Sequence, residues 1–233
     1  MNNPWELSRS RHFNVHPDDE RRVSQHNRSA KTNKQIERGL PPLPFIGNPQ
    51  NARVILLAKN PNYSPDDEAE AETNEVLVDE NINALRFESA HPFFYLDERF
   101  AGTIGHTFWH NALKDLIAAA VERSEGALTE VDVAGRISCL LSHPYRSRDT
   151  FDPKPGEEFP TQSYTDYLAG LASARPDVVF IVLGGKLTEN RWRDAVSNLP
   201  ATTVRLRNIQ KPVPTRANMN EVDFERSVVA LTR

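Results

Sequence analysis

The chain carries one cysteine, Cys139, in 233 residues. A lone cysteine excludes an intramolecular disulfide and a cysteine-rich zinc site. It lies in an apolar run, where a buried inert thiol is expected, because reactive thiols need exposed electropositive surroundings. Long apolar runs are missing too. None approaches the roughly 18–20 residues of a membrane-spanning helix. No apolar segment of the signal-peptide kind opens the chain. These absences lead us to expect a cytoplasmic protein with no membrane partner. Hydrophobic residues make up only 38%, and there are 17 prolines. A modest core with much loop follows. The length suits one large α/β domain, here residues 41–233, behind a polar arm of residues 1–40.

Several catalytic fingerprints are also missing. Gly184-Gly185-Lys186 follows a strand-like run, but the G-x-x-x-x-G-K-[ST] spacing of a phosphate loop is absent. There is no G-x-S-x-G elbow and no H-E-x-x-H. His106 and His110 stand four apart on a predicted helix, which is metal-ligand spacing, yet no third ligand is evident. No metal and no cofactor are implied.

Charge is unevenly placed. The net charge is −4. Residues 66–80 hold eight acidic side chains and no basic one, whereas residues 205–216 hold four basic side chains and no acidic one. The arm is basic on balance. A phosphate backbone feels a local basic stripe, not the total. The plain alternative is that both runs are solvated faces.

The arm lacks sustained periodicity apart from a short helix near residues 17–26. Residues 41–49 are too proline-rich for a helix and read as extended. Arg53-Val54-Ile55-Leu56-Leu57 is a buried strand that ends sharply at Asn60-Pro61. The acidic stretch 66–80 begins a helix or forms a mobile loop. Further helices are expected over 104–122 (Phe108, Leu113, Leu116, Ile117 and Ala120 inward), 161–174 (Tyr164, Tyr167, Leu168 and Leu171 inward), 187–197 and 221–231. Strands are expected over 133–141, 178–183 and 202–206. Strand and helix alternate, which implies a three-layer α/β sandwich around a central four-stranded parallel sheet. Ligands then bind beyond the carboxyl ends of the strands. The loops of interest are 58–64, 142–149, 184–186 and 207–218.

In the first of these loops, a proline braces Asn60 at the end of a strand. A side-chain amide is no strong base, but it can position a water and orient dipoles. That is enough where the transition state is already dissociative, as in N-glycosidic cleavage through an oxocarbenium ion; O-glycosidases share that cation. The alternative is that Asn60 only makes an Asx turn.

Pro44-Phe45-Ile46-Gly47, then the strand 54–57, then Ala58-Lys59-Asn60-Pro61-Asn62-Tyr63, resembles the first motif of the uracil-DNA glycosylase superfamily. It is nearest to the branches reading Asn-Pro-Gly, with Asn62 where Gly is usual. The resemblance spans most of residues 41–233 and implies a glycosylase-like fold. It also implies that Asn60 positions the attacking water and that Tyr63 walls the pocket. The second motif, usually a His-Pro-Ser run after the fourth strand, is replaced here by Asn208-Ile209-Gln210-Lys211-Pro212-Val213-Pro214-Thr215. The base-reading loop offers His143, Tyr145 and arginines in place of Asn. These departures leave open a bulkier modified pyrimidine in place of uracil.

The expected site therefore has Asn60 as the catalytic residue and Lys59, Asn62, Tyr63, His143 and Tyr145 around the base. Phe93, Phe94 and Tyr95 are either additional stacking faces or core. Arg146, Arg148, Arg207, Lys211 and Arg216 are the expected DNA contacts. The expected activity is that of a monofunctional DNA glycosylase, acting as a monomer on a base flipped from single- or double-stranded DNA. The base would be uracil or a hypermodified phage cytosine, the latter in antiviral defence. A lyase using Lys59 or Lys186 is an alternative within that class. A non-catalytic nucleic-acid-binding module and a nucleoside hydrolase are alternatives outside it.

Overall fold

The computed structural model describes residues 1–10, 13–151, 153, 156–197, 199–200 and 202–233. Arg11 and His12, counted in the basic balance of the arm, lie outside them. Five strands are described: β1 (Phe45–Ile46), β2 (Val54–Ala58), β3 (Ile137–Leu141), β4 (Val179–Val182) and β5 (Val204–Arg205). They form one sheet in the order β1-β3-β2-β4-β5. The last four in that order run parallel. β1 pairs antiparallel with β3, setting Phe45 opposite Leu140 and Ile46 opposite Cys139. The sheet is therefore five-stranded and mixed, not four-stranded and parallel as expected. Pro44 and the turn at Gly47 leave only two residues between them to pair, so the extended run becomes a short edge strand. Gly47 has φ +80°, and a Cβ there would run into the Ile137 carbonyl. Only glycine fits this turn without strain.

The β2 run is continuously apolar because both of its faces are covered. Val54 and Leu56 join one core layer with Leu113, Leu116, Phe224 and Val228. Ile55 and Leu57 join the opposite layer with Leu168, Ala172 and Trp192. Each such side chain contributes roughly 1.5–3 kcal/mol by leaving water. The first layer is built on α4 (Ile104–Arg123) and α8 (Glu221–Thr232), which pack on each other. The second is built on α6 (Gln162–Ser173) and α7 (Lys186–Ala195).

Several local expectations are corrected. The acidic stretch is two helices, α2 (Pro65–Thr73) and α3 (Glu75–Leu85). Ser64 and Asp67 cap the first reciprocally, with Pro65 in its first turn. The expected strand 133–141 is shorter, because Thr129 and Asp132 make a second capping box for the one-turn helix α5 (Glu130–Ala134). On α4 the inward aromatic is Trp109, while Phe108 is half exposed. On α6 Tyr164 and Leu168 are buried, but Tyr167 and Leu171 face solvent.

The arm is no loose tail. Its helix α1 runs Glu20–Ser29. Trp5 is fully buried in the second core layer. Val23 and Ile36 pack with Tyr145, Phe151 and Phe159 in a third cluster.

Candidate active site at the carboxyl edge of the sheet

The parallel strands deliver loops 59–64, 142–149, 183–186 and 206–218 to one edge, where such sheets bind ligands. β2 is the middle strand, so its loop sits at the centre of that edge. Loop 142–149 stitches onto it. The Lys59 carbonyl accepts from the His143 N–H at 2.8 Å and from the Ser142 hydroxyl at 3.0 Å. The Tyr63 N–H donates to the Ser147 carbonyl at 3.2 Å, and Asn62 bridges Ser147 as an isolated parallel pair.

The Asn60 amide is fixed in orientation. Its Nδ2 donates to the Ser147 Oγ at 2.9 Å and to the Pro61 carbonyl at 3.1 Å. A carbonyl can only accept, and the Ser147 hydroxyl gives its single proton to the Asp149 carbonyl at 2.7 Å. The amide edge facing both must therefore be the NH2. Asn60 Oδ1 is left buried with no hydrogen-bond partner among the described residues. An Asx turn would have used that oxygen to accept from the backbone ahead, so the turn reading does not describe this side chain. Leaving a buried acceptor unpaired costs roughly 1–3 kcal/mol. Asn60 Oδ1 shares this state with other buried atoms, among them Asn14 Oδ1, Asn81 Oδ1 and Thr165 Oγ1, and is set apart by its place at the carboxyl end of the central strand.

Around Asn60 the expected residues divide. Tyr63 is buried, its hydroxyl donates to Glu68 at 2.8 Å, and the Arg148 guanidinium lies 5.8 Å from its ring centre. The hydrogen bond to the Glu68 carboxylate, with burial behind it, pushes the phenol up to about 12. Tyr63 therefore keeps its proton at neutral pH and is no ready acid. Asn62 is exposed, and its carbonyl accepts from Arg146 Nη1 at 3.2 Å. Arg146 also donates to the Tyr95 hydroxyl at 3.2 Å. It braces the loop from behind, beside a cavity of about 30 Å³ shared with Asp67, Glu70 and Asn81. Phe93, Phe94 and Tyr95 are core.

The structure does not bring His143 and Tyr145 to this surface. Both are buried. The His143 ring stacks on Phe151 at 5.0 Å with 11° between planes. The Tyr145 hydroxyl donates to Asp19 of the arm at 2.6 Å. The arm takes Tyr145, whereas His143 packs on Phe151 and Phe159.

The cations divide as well. Arg148, Arg207 and Lys211 are exposed, and none makes an ion pair among the described residues. Arg216 is committed to α8: it pairs with Glu221, lies 3.7 Å from Glu225 and sits 4.7 Å over Phe224. Its guanidinium is engaged by these three side chains while remaining half exposed. Sequence reasoning missed Asn218. This buried side chain donates from Nδ2 to the carbonyls of Asn208, Lys211 and Val213 at 3.2, 3.0 and 2.9 Å. It holds the basic loop in a fixed shape.

Between the ends of β4 and β5 lies a cavity of about 410 Å³, lined by Gly184, Gly185, Lys186, Glu189, Arg205 and Ile209. Glu189 bonds both Arg205 and Arg193, and Arg205 holds its carboxyl down at about 2. Elsewhere, His106 and His110 stack at 5.6 Å. Among the described residues no group of three metal-ligating side chains exists. Cys139 is buried and its thiol is pushed up by that burial. No described helix is long and apolar enough to cross a membrane. Compared with family models, with curated proteins and with solved structures, the chain finds no match in any of the three.

Proposed function

We propose that this chain is a monofunctional DNA glycosylase, a divergent member of the uracil-DNA glycosylase superfamily with a glycosylase-like α/β sandwich. Its substrate is a flipped-out pyrimidine, either uracil or a modified cytosine. The carrying observation is the Asn60 amide, locked by its nitrogen with its oxygen unpaired. When the site takes up substrate, such an oxygen accepts a hydrogen bond from a water and turns that water's lone pair toward C1′. The glycosidic bond breaks with its electron pair leaving on the base. The water then adds to the sugar cation and its proton passes to the departing base anion, which leaves an abasic site and the free base. A dissociative transition state needs orientation more than a strong base. The order of the four parallel strands supports the reading, because it centres this loop on the ligand-binding edge. Exposed Arg148, Arg207 and Lys211 supply cations for the flanking phosphates. Burial of His143 and Tyr145 removes the expected base readers, so what the pocket accepts rests on other residues.

The test uses single- and double-stranded oligonucleotides carrying uracil, hydroxymethylcytosine or glucosylated hydroxymethylcytosine. After incubation, alkali cleaves abasic sites and a gel reports them. We expect cleavage at one of these bases, reduced roughly 100-fold or more in Asn60→Ala while DNA binding persists. Binding without cleavage on all three substrates favours a binding module. Cleavage of free nucleosides with no salt-dependent DNA affinity favours a nucleoside hydrolase.

A further inference from the structure

Asn60 is held by one side chain, that of Ser147, and the residues on either side of Ser147 are held by the arm. Ser147 is fully buried. Its backbone is clipped into the catalytic loop on both sides: its carbonyl accepts from Tyr63 N–H, and its own N–H donates to the Pro61 carbonyl at 3.4 Å. Its hydroxyl passes one proton onward to the Asp149 carbonyl and so presents only lone pairs to Asn60. Asp149 is fixed in turn by the arm. Its N–H donates to the Asn33 carbonyl at 2.7 Å, and its carboxylate accepts from the Asn33 side chain. One residue before Ser147, the Arg146 carbonyl accepts from Glu37 N–H at 3.0 Å. The segment 146–149 is thus pinned between the arm and the loop that carries Asn60.

We propose that Ser147 is a positioning residue that sets which end of the Asn60 amide is presented for chemistry, and that the N-terminal arm belongs to the active-site scaffold through Asn33 and Glu37. The argument is one of hydrogen-bond polarity. An amide can flip end for end, and the two orientations place a donor or an acceptor at the same point. Pro61 alone holds one of the two Nδ2 protons. The Ser147 hydroxyl holds the second, but only while its own proton is directed at Asp149. If Ser147 is lost, only the Pro61 carbonyl still opposes the flip, and the flipped state with Nδ2 presented gains population; an N–H cannot accept a hydrogen bond from water. The catalytic consequence rests on the glycosylase reading; the geometry does not.

Two measurements separate them. The first is hydrogen exchange of the Asn60 side-chain NH2, followed by NMR on the full-length 15N-labelled protein. In the wild type we expect both protons protected at least about tenfold relative to a solvent-exposed asparagine. Ser147→Ala should lose that protection, and Ser147→Thr, which keeps the hydroxyl, should retain most of it. An unprotected Asn60 amide in the wild type overturns the proposal without any variant. So does protection that is equal in wild type and Ser147→Ala. The second measurement is the rate of abasic-site formation. We expect Ser147→Ala to lower kcat roughly 10- to 100-fold with KM little changed, and Ser147→Thr to recover most of it. A wild type that makes no abasic sites sinks the glycosylase reading, while the exchange measurement still decides the role of Ser147.

Discussion

Asp19 and Tyr145 stand 126 positions apart and share a buried hydrogen bond of 2.6 Å. Around the same carboxylate, Thr161 donates both its N–H and its hydroxyl. The His16 N–H donates to the Tyr145 oxygen at 3.2 Å. This knot joins the arm, the loop after β3 and the start of α6. A carboxylate buried with three donors converging on it is stable only while they stay.

Removing the phenol hydroxyl therefore tests the knot. Tyr145→Phe should lower unfolding free energy by about 1–3 kcal/mol, read as a shift of the urea midpoint with an unchanged slope. DNA affinity should hold, because Tyr145 has no exposed surface to offer. An affinity loss larger than the stability loss would return Tyr145 to the base pocket.

Glu189 gives a pH prediction. Its carboxyl sits at about 2, against an ordinary 4.5, because Arg205 and then Arg193 favour the charged form. A depressed folded pKa means stabilisation that is complete above 4.5 and fades as pH falls toward 2. Wild type should exceed Glu189→Gln in stability at neutral pH. The two should converge when chemical denaturation is repeated down to about pH 2. A gap independent of pH would show that the ion pairs are not its source.

The cations should separate by function. Arg207→Ala and Lys211→Ala should each reduce the slope of log affinity against log salt by about 0.7–0.9. Arg216→Ala should leave that slope nearly unchanged and lower thermal stability, because its guanidinium is spent on Glu221 and Phe224. Equal slopes for all three would refute this division.

Asn218→Ala removes no charge, yet it takes the side-chain donor from the carbonyls of Asn208, Lys211 and Val213 and the side-chain acceptor from the Asn208 N–H. We expect a loss of about 1–3 kcal/mol in stability, together with weaker DNA binding at constant salt slope. Unchanged binding would mean that the shape of the loop does not matter to its contacts.

How much of this was legible depended on whether the signal was local. The β2 run and its stop at Asn60-Pro61 could be read because a strand buried on both faces must be apolar throughout. α4 was legible as a helix, but Trp109 and not Phe108 lies on its inner stripe with Ala112, Leu113, Leu116 and Ala120. On α6 the inner stripe runs through Thr165, Ala169 and Ala172, small residues chosen for close approach, which a count of large apolar side chains overlooks. In the site, Asn60 was visible because proline and strand end mark it. Ser147 was not, since a serine in a loop carries no signal until its partner is known. Tyr145 was misjudged because its partner Asp19 lies in the distant arm, and His143 because its ring packs on Phe151 and Phe159. The proline-bounded segment at 45–46 gave no hint of direction, so its antiparallel pairing with β3 needed the structure.

The knot at Asp19 also has a consequence in time. Synthesis runs from the N-terminus, so Asp19 is made well before Thr161, its partner 142 positions downstream. Until residues 145–159 emerge, Tyr145, Phe151 and Phe159 are not there to bury Val23 and Ile36. Docking of the arm must then close a loop of more than a hundred residues, a contact whose entropy is paid late in folding. The arm is made before its partners and is among the last parts to find its place.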